Sequence, residues 1–461
     1  MGSLFGILSA SASSLDAQTA AAATNANNLE NVDTPGYSRQ VAQLEPTVPS
    51  ELVGNTYLSS GVTMGQVTQV RDRFVEAQLP VAFGNAASSD AASKVLSAVS
   101  ALNPQASGGL SDALSGFYSA LSALSQNASD PGLRQAAVAA AGTLASTFQQ
   151  TRASLESART GVDQNIAGDV TEVNTLAAQV ASLNGQIATA SASGAQPNDL
   201  MDTRQNAIDQ LAQLTGATMV SNSDGNPSLV LPGGAALVSD LQASTLSTVP
   251  DASNEGHLDV DITTADGTTT LATPGGELGG LLSARDSALG SAVSGLDTLA
   301  WDLANTINTV HEAGTDLDGN QGQELFEVSS ASGAASQIAV NPNIVSNTDL
   351  LATRTTGGTG DASNVLALLA TSSTLLSGGQ DAADTLAQIT SAFGAAAQNA
   401  SAASEADDAI KSQLVTMRQS ASSVSTDDEL VEMQKAQQAY AAIARVISTT
   451  DSMLDSLVSI T

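Results

Sequence analysis

The chain has 461 residues with 14 Lys plus Arg against 46 Asp plus Glu, a formal net charge of -32, 42% hydrophobic residues, 3% aromatics and no cysteine. That length allows two to four domains with a sizeable core, while the charge argues against nucleic acid and anionic membrane as partners, since both need basic surface to neutralise phosphate. The lack of cysteine excludes disulfide frameworks, Cys-ligated zinc and thiol catalysis, and the two histidines, His257 and His311, lie far apart with no metal-ligand spacing.

Met1 to Leu15 carries no Lys or Arg and no small-residue cleavage pattern behind a long apolar core, so it does not read as a secretory signal peptide. No stretch approaches the roughly 20 apolar residues of a membrane span. Much of the hydrophobic fraction is alanine, which favours close-packed helices over a thick aromatic core. Phe5, Leu8, Ala12, Leu15, Thr19, Ala22, Ala26 and Leu29 alternate three- and four-residue steps, the seam of a coiled-coil-like helix. Asn27, Asn28 and Asn31 are poor helix-interior residues, and Thr34-Pro35-Gly36-Tyr37 fits a type II turn. Val41 to Val70 is extended and turn-rich, and a helix is predicted from Arg71 through Leu79.

Helices are predicted from about Ala87 to Gln126, after which Asp130 can cap and Pro131 can take the first position of another. From Pro131 to about Ala192 there is no further proline and the apolar spacing is helical, a rod of roughly 90 Å unless it breaks near Gly161 or Gly168. A shorter helix spans Asn198 to Leu214. Thr218 to Thr273 then changes character: alternating runs such as Ser228-Leu229-Val230-Leu231 and Leu258-Asp259-Val260-Asp261-Ile262, punctuated by Asp-Gly and Pro-Gly pairs, read as a small β insertion. Helical pattern resumes from Leu278 to His311, with Trp301 as a core residue. It pauses in a loop-rich stretch from Gly314 to Asp361 and returns over Ala362 to Ser423.

The last segment is the most regular. Leu430, Met433, Gln437, Tyr440, Ala444, Ile447, Asp451, Leu454 and Val458 follow the same alternating steps, with Thr426 and Glu429 spaced as a capping box. Gln437 and Asp451 either set register within the seam or face water at its edge, and Asp427, Asp428 and Glu429 suit the positive end of the helix dipole. The expected fold is therefore mainly α: a long helical bundle or coiled-coil body built from N- and C-terminal parts, with a small inserted β domain. Residues 1–40 plus 425–461 form terminal core helices, 41–215 plus 276–424 the helical body, and 216–275 the β-rich insertion. A lone terminal helix cannot bury its own apolar stripe, so each end must find the other end, the body or a neighbouring molecule.

Asn28-Leu29-Glu30-Asn31-Val32-Asp33-Thr34-Pro35-Gly36-Tyr37 resembles the signature shared by bacterial flagellar rod, hook and hook-associated proteins, and its continuation Ser38-Arg39-Gln40 is similar to the hook-filament junction branch. The C-terminal runs Gln437-Gln438-Ala439-Tyr440 and Ala444-Arg445-Val446-Ile447-Ser448-Thr449 resemble the end of the same branch. So do Asn198-Asp199-Leu200-Met201-Asp202-Thr203-Arg204 and Gly279-Gly280-Leu281-Leu282-Ser283-Ala284-Arg285-Asp286 in the interior. The likeness covers nearly the whole chain, is weakest over the β insertion, and leaves Val328 to Asp361 short against longer members with additional outer-domain sequence.

The resemblance implies a structural axial protein, exported without a cleavable signal through the flagellar type III apparatus and placed extracellularly at the hook-filament junction as mechanical adaptor and assembly platform. It implies self-association in a ring, contact with hook protein and a second junction protein, and an export chaperone at the C-terminal helix. Asn28, Asn31, Pro35, Gly36 and Tyr37 would set the corner between core helix and body. Leu8, Leu15 and Leu29, with Leu430, Met433, Tyr440, Ile447, Leu454 and Val458, would supply apolar burial on assembly, each up to about 1.5 to 3 kcal/mol if fully buried. Another axial subunit of hook or rod remains open as an alternative, as does an exported adhesin or host-signalling protein.

No His/Ser/Asp grouping, phosphate-binding Gly loop or paired-acid motif stands out, so no catalytic residue and no cofactor is assigned, and a secreted hydrolase with carboxylates in the β insertion is the weaker reading. Asp316, Asp318, Asn320, Glu324 and Glu327 partly match a calcium loop. Its sharp-turn position holds Gln321, with Gly322 one place late, and a family-typical turn explains the same residues, so no metal is assigned there.

Overall fold

The structure, a computed structural model, describes residues 2–47, 51–53, 56–58, 61–102, 108–221, 226–271 and 274–460. Among these the chain opens with helix α1 (Gly2–Glu30), followed by strands β1 (Gln40–Pro46), β2 (Glu51–Val53), β3 (Thr56–Leu58) and β4 (Val62–Gln69). β1 pairs antiparallel with β4, and β2 with β3, giving a long hairpin that leans on α1. Then come α2 (Arg73–Ala98), α3 (Leu110–Gln126), α4 (Pro131–Ala192) and α5 (Asn198–Thr215).

The 62 residues of α4 run without a break, roughly 90 Å at 1.5 Å per residue. Asp130 caps it as the sequence indicates, its Oδ1 accepting from the backbone N–H of Gly132 at 2.8 Å and Leu133 at 3.1 Å, with Pro131 in the first turn. Its apolar face serves two cores in succession. Ala141, Leu144, Phe148 and Leu155 pack with Phe117, Leu121, Leu296 and Leu303, whereas Val162, Ile166, Val173 and Val180 pack with Ile208, Leu211 and the β insertion.

The insertion holds β5 (Thr218–Ser221), β6 (Pro227–Val230), β7 (Ala236–Ser239) and β8 (Gln242–Ala243) in one antiparallel sheet. β9 (Thr245–Pro250), β10 (Leu258–Thr264) and β11 (Gly267–Thr270) form another, in the order β11-β10-β9. Leu229, Leu237, Val238, Leu246, Val260 and Ile262 point from both sheets toward α4 and α5. After it, α6 (Gly276–Ser283) passes through a π-helical turn, Ala284–Leu289, into α7 (Gly290–Ala313). Next comes a compact layer: β12 (Phe326–Glu327) pairs with β13 (Ala339–Val340), flanked by α8 (Ala334–Gln337) and α9 (Pro342–Ser346). It closes over α4 and α7 with Phe326, Ile338, Ile344 and Leu351 buried. The chain ends with α10 (Ser363–Ala370), α11 (Ala382–Ser422) and α12 (Thr426–Ile460).

Two boundaries differ from the sequence reading. Arg71–Leu79 and the helix expected from Ala87 are one helix, α2, which continues through Pro80 because α5, α6 and α11 pack along it and hold it together. The helices expected between about Ala87 and Gln126 are the second part of α2 and all of α3. The run Ala362–Ser423 is interrupted after α10, where Gly379 adopts φ +76° in the turn that precedes α11. The incomplete calcium loop is a turn that closes on itself: Asp316 is buried, and its carboxylate accepts from the backbone and side-chain N–H of Asn320 at 2.8 and 3.2 Å. Trp301 is half-buried against the larger core.

Glycine plays two opposite parts here. A Cβ at Gly280 of α6 would collide with the backbone of Ser88, so α2 and α6 touch backbone to backbone, whereas a Cβ at Gly161 or Gly168 of α4 meets nothing within 4 Å. Gly161→Ala and Gly168→Ala are each expected to raise stability by about 0.5–1 kcal/mol through helix propensity alone, and Gly280→Ala to lower it, as checked by chemical denaturation.

Candidate assembly interface

α1 and α12 pack against each other along their length. On α1 the inner positions are small or polar: Ala17, Thr24 and Asn28 are buried, and Ala10, Ser14 and Ala21 half-buried. On α12 the facing positions are Glu429, Ala436 and Thr450, all buried, with Met433, Ile443, Ile447 and Leu454 half-buried between them. Both threonine hydroxyls satisfy themselves on their own helix, Thr24 donating to the Ala20 carbonyl at 3.0 Å and Thr450 to that of Val446 at 2.8 Å. Small residues let the backbones approach, so this seam lies one or two positions away from the leucine stripe that the sequence displays most strongly.

The stripe itself lands at the edge or outside. Leu8, Leu15 and Leu29 are half-buried, while Leu430, Tyr440 and Val458 are exposed; Met433, Ile447 and Leu454 are shared with the inner seam. Phe5 is 61% exposed and Leu430 47%, and Ile7, Val431, Val446 and Met453 continue the outward apolar surface. Gln437 and Asp451 face water.

Where α1 ends, the chain turns sharply. Thr34 accepts from the Tyr37 backbone N–H at 3.2 Å, and Gly36, exposed with Pro35, takes φ +78° at the third position. A side chain there would also strike Asn206. Asn31 steadies the approach, donating from Nδ2 to the Asn27 carbonyl at 2.9 Å and accepting from Thr34 Oγ1 at 3.2 Å.

Asn28 is fully buried with every polar valence used. Its Nδ2 donates to the Gln40 carbonyl at 2.8 Å and to Glu429 Oε2 at 3.0 Å; its Oδ1 accepts from the Gln40 backbone N–H and from the Tyr37 hydroxyl, both at 2.9 Å. Glu429, equally buried, accepts Arg39 Nε on its other oxygen at 2.6 Å. Its carboxylate thus binds across the seam instead of closing the expected capping box; the first turn of α12 is held by Ser425, whose carbonyl accepts the Glu429 N–H at 3.0 Å.

The corner is also bolted to the body. Ser38 donates to Asp202 through its backbone N–H at 3.1 Å and its hydroxyl at 2.8 Å, Arg71 pairs with the same carboxylate at 2.5 Å, and Gln40 exchanges hydrogen bonds with Asp199 and Asn198. The Asn198–Arg204 segment singled out in the sequence is therefore the socket for Ser38 and Gln40. Burial first, then Asp199, Asp202 and Glu429, push the Tyr37 phenol up to about 12. Burial and the neighbouring Arg71 bring the Arg204 guanidinium down to about 10.

Such a chain, whose first and last helices meet at a polar corner and present apolar surface outward, belongs to the class of filament-building subunits whose two ends form one assembly element. The family model of the flagellar hook-associated protein FlgK helical domain matches residues 96–326, and that of the flagellar basal body rod FlgEFG protein C-terminal region matches residues 418–460. The chain belongs to the FlgK family of flagellar hook-associated proteins. It is 29% identical to flagellar hook-associated protein 1 of Bacillus subtilis (strain 168), with 96% of each chain covered. It is also 29% identical to the protein of that name from Salmonella typhimurium, over 74% of this chain and 64% of that one. The fold is similar to the flagellar hook junction protein FlgK from Burkholderia pseudomallei, with a TM-score of 0.69 at 20% identity over 76% of this chain and all of that one.

Two outcomes are expected. Asn28→Ala should cost about 1–3 kcal/mol by stranding Glu429 and the Gln40 backbone, with a non-additive Glu429→Gln partner mutation in a double-mutant cycle. In a spectrophotometric titration Tyr37 should ionise well above an exposed tyrosine. Because its folded pKa is raised, the stability it contributes is complete below about pH 10 and is lost as the pH climbs toward 12.

Proposed function

We propose that this chain is the subunit joining hook to filament, a mechanical adaptor and assembly platform rather than an enzyme. The observation that carries the reading is the polar corner of Asn28, Arg39 and Glu429, which fixes both terminal helices to one another and leaves their larger apolar residues facing outward. A subunit built this way can enter an axial lattice with its core already paired, and neighbouring copies in a ring, hook protein on one side and a second junction protein on the other, would cover the outward stripe.

Export without a cleaved signal and final placement outside the cell follow the same reading. Among the described residues no helix is long and apolar enough to cross a membrane. Before export, Leu430, Val431 and Tyr440 form a surface that invites premature association, and a dedicated chaperone on α12 would shield it. Family membership favours the junction over hook, rod or adhesin readings.

Deletion of the gene is expected to leave hooks without attached filaments and to release flagellin into the medium, with rescue by the full-length gene; attached filaments and normal swimming would refute the assignment. The triple variant Leu430→Ser/Val431→Ser/Tyr440→Ser should change monomer stability by about 0.5 kcal/mol per site or less, as is usual for exposed positions, yet fail to rescue. Swimming restored by the triple variant would remove the outward stripe from the mechanism.

A further inference from the structure

A partly buried ion network, independent of the terminal helices, sits where the β insertion meets α4 and the π turn. From α4 come Arg152, Glu156, Arg159 and Asp163, from the β9–β10 loop Glu255 and His257, and from the π turn Arg285 and Asp286. Arg285 binds Asp163 Oδ1 at 2.5 Å and the Leu258 carbonyl at 2.6 Å; Arg152 and Arg159 bind Glu255 at 2.7 and 2.5 Å. Arg152 also meets Glu156 Oε2 at 2.9 Å and Asp297 Oδ2 at 3.4 Å. Five carboxylates thus face three guanidiniums, and the balance is acidic.

His257 is the unusual member. It is 4% exposed, and its Nδ1 lies 2.6 Å from Asp163 Oδ2. Asp163 accepts from Arg285 on its other oxygen, so Nδ1 donates to it and Nε2 is left facing Glu156. That nitrogen has no hydrogen-bond partner, although Glu156 Oε1 is 2.9 Å away. Nε2 and the Glu156 carboxylate thus face each other at a distance that a shared cation, a proton or a metal ion, bridges.

We propose that His257 Nε2, Glu156 and Glu255 form a binding site for a divalent transition-metal ion of the zinc class, with Asp163 as the carboxylate that orients the imidazole. The three donor atoms lie within 4.8 Å of one another. One imidazole nitrogen with two carboxylates suits zinc, with water in the fourth position. A carboxylate on the far ring nitrogen is the usual outer support of a metal-bound histidine. Both glutamates reach solvent, which provides an entry path, and Glu255 would give up one of its two guanidinium contacts, with Arg152 or Arg159, to reach the ion. The bound metal staples the β insertion to the long helix. The sequence pattern had no means of showing this site, because Glu156 and His257 are about 100 residues apart.

No other histidine or cysteine competes for the ion. The chain has no cysteine, and His311 has both ring nitrogens engaged, Nδ1 by the Gln323 carbonyl and Nε2 by the Ala352 backbone N–H at 2.9 Å.

The test is titration of the full-length protein with Zn2+ by calorimetry after dialysis against a chelator. One equivalent should bind, undisturbed by millimolar Ca2+, since an imidazole ligand disfavours a hard cation. Glu255→Gln should weaken binding at least tenfold, Asp163→Asn by about 10- to 100-fold, and His257→Gln should abolish it. Circular dichroism of each variant reports folding; should the buried His257→Gln fail to fold, the half-exposed Glu255→Gln still decides the matter. Absence of Zn2+ binding by the unaltered protein, as a site that holds only a proton would give, overturns the proposal, and so does undiminished binding by folded Glu255→Gln.

Discussion

Everything at the ends of this molecule depends on one buried amide meeting one buried carboxylate. Asn28 and Glu429 are separated by 401 residues, and neither touches solvent. A carboxylate taken out of water is costly unless its oxygens are fully occupied. Here Asn28 takes one oxygen and Arg39 the other, so the pair is stable only when α1, the turn, β1 and α12 are in place together. The amide also grips both the N–H and the C=O of Gln40, acting toward β1 as a neighbouring strand would. An apolar contact at this point would tolerate sliding. Four directional bonds do not, and they fix the angle at which the helical pair leaves the body.

The same economy of charge runs through the body. With 14 basic residues in the chain, most of the arginines are turned inward. Arg134, buried at the start of α4, has no carboxylate on it; it is held by the carbonyls of Ala128, Thr348, Asp349 and Leu351, which pins the 348–353 loop to the helix. Arg418 joins α11 to α5 through Asp209 at 2.6 Å and lies 5.6 Å from the Phe83 ring centroid of α2. Inward use of cations leaves the acids on the surface. In the proposed ring, neighbouring copies would meet with like charge, and attraction between them would have to come from uncharged surface such as the outward face of α1 and α12.

Elements whose identity is set locally were legible in the sequence. Asp130-Pro131 announced the start of α4, the Pro35-Gly36 pair announced the turn at the corner, and short alternating runs announced the strands between Thr218 and Thr270. What was hidden is set by partners distant in sequence. Glu429 at the third position of a helix reads as a cap, and only α1 and Arg39 make it a crosslink. Pro80 reads as a stop, and only packing against three other helices carries α2 through it. The choice of seam is the clearest instance. Leucine, tyrosine and valine dominate the periodic signal of the terminal helices, whereas the pairing face is drawn in Ala17, Thr24, Ala436 and Thr450, residues that carry little hydrophobic signal because their purpose is close approach.

That division of faces has a consequence for assembly. A seam of alanine and threonine buries little apolar area, and its strength per residue is correspondingly low. The pairing of α1 with α12 therefore leans on the polar corner at one end. The larger residues are held in reserve on the outer surface, where burial against a neighbour adds what the inner seam lacks. On the function proposed above, the pair would be only partly secured within one subunit and would be completed where neighbouring copies cover its outer surface.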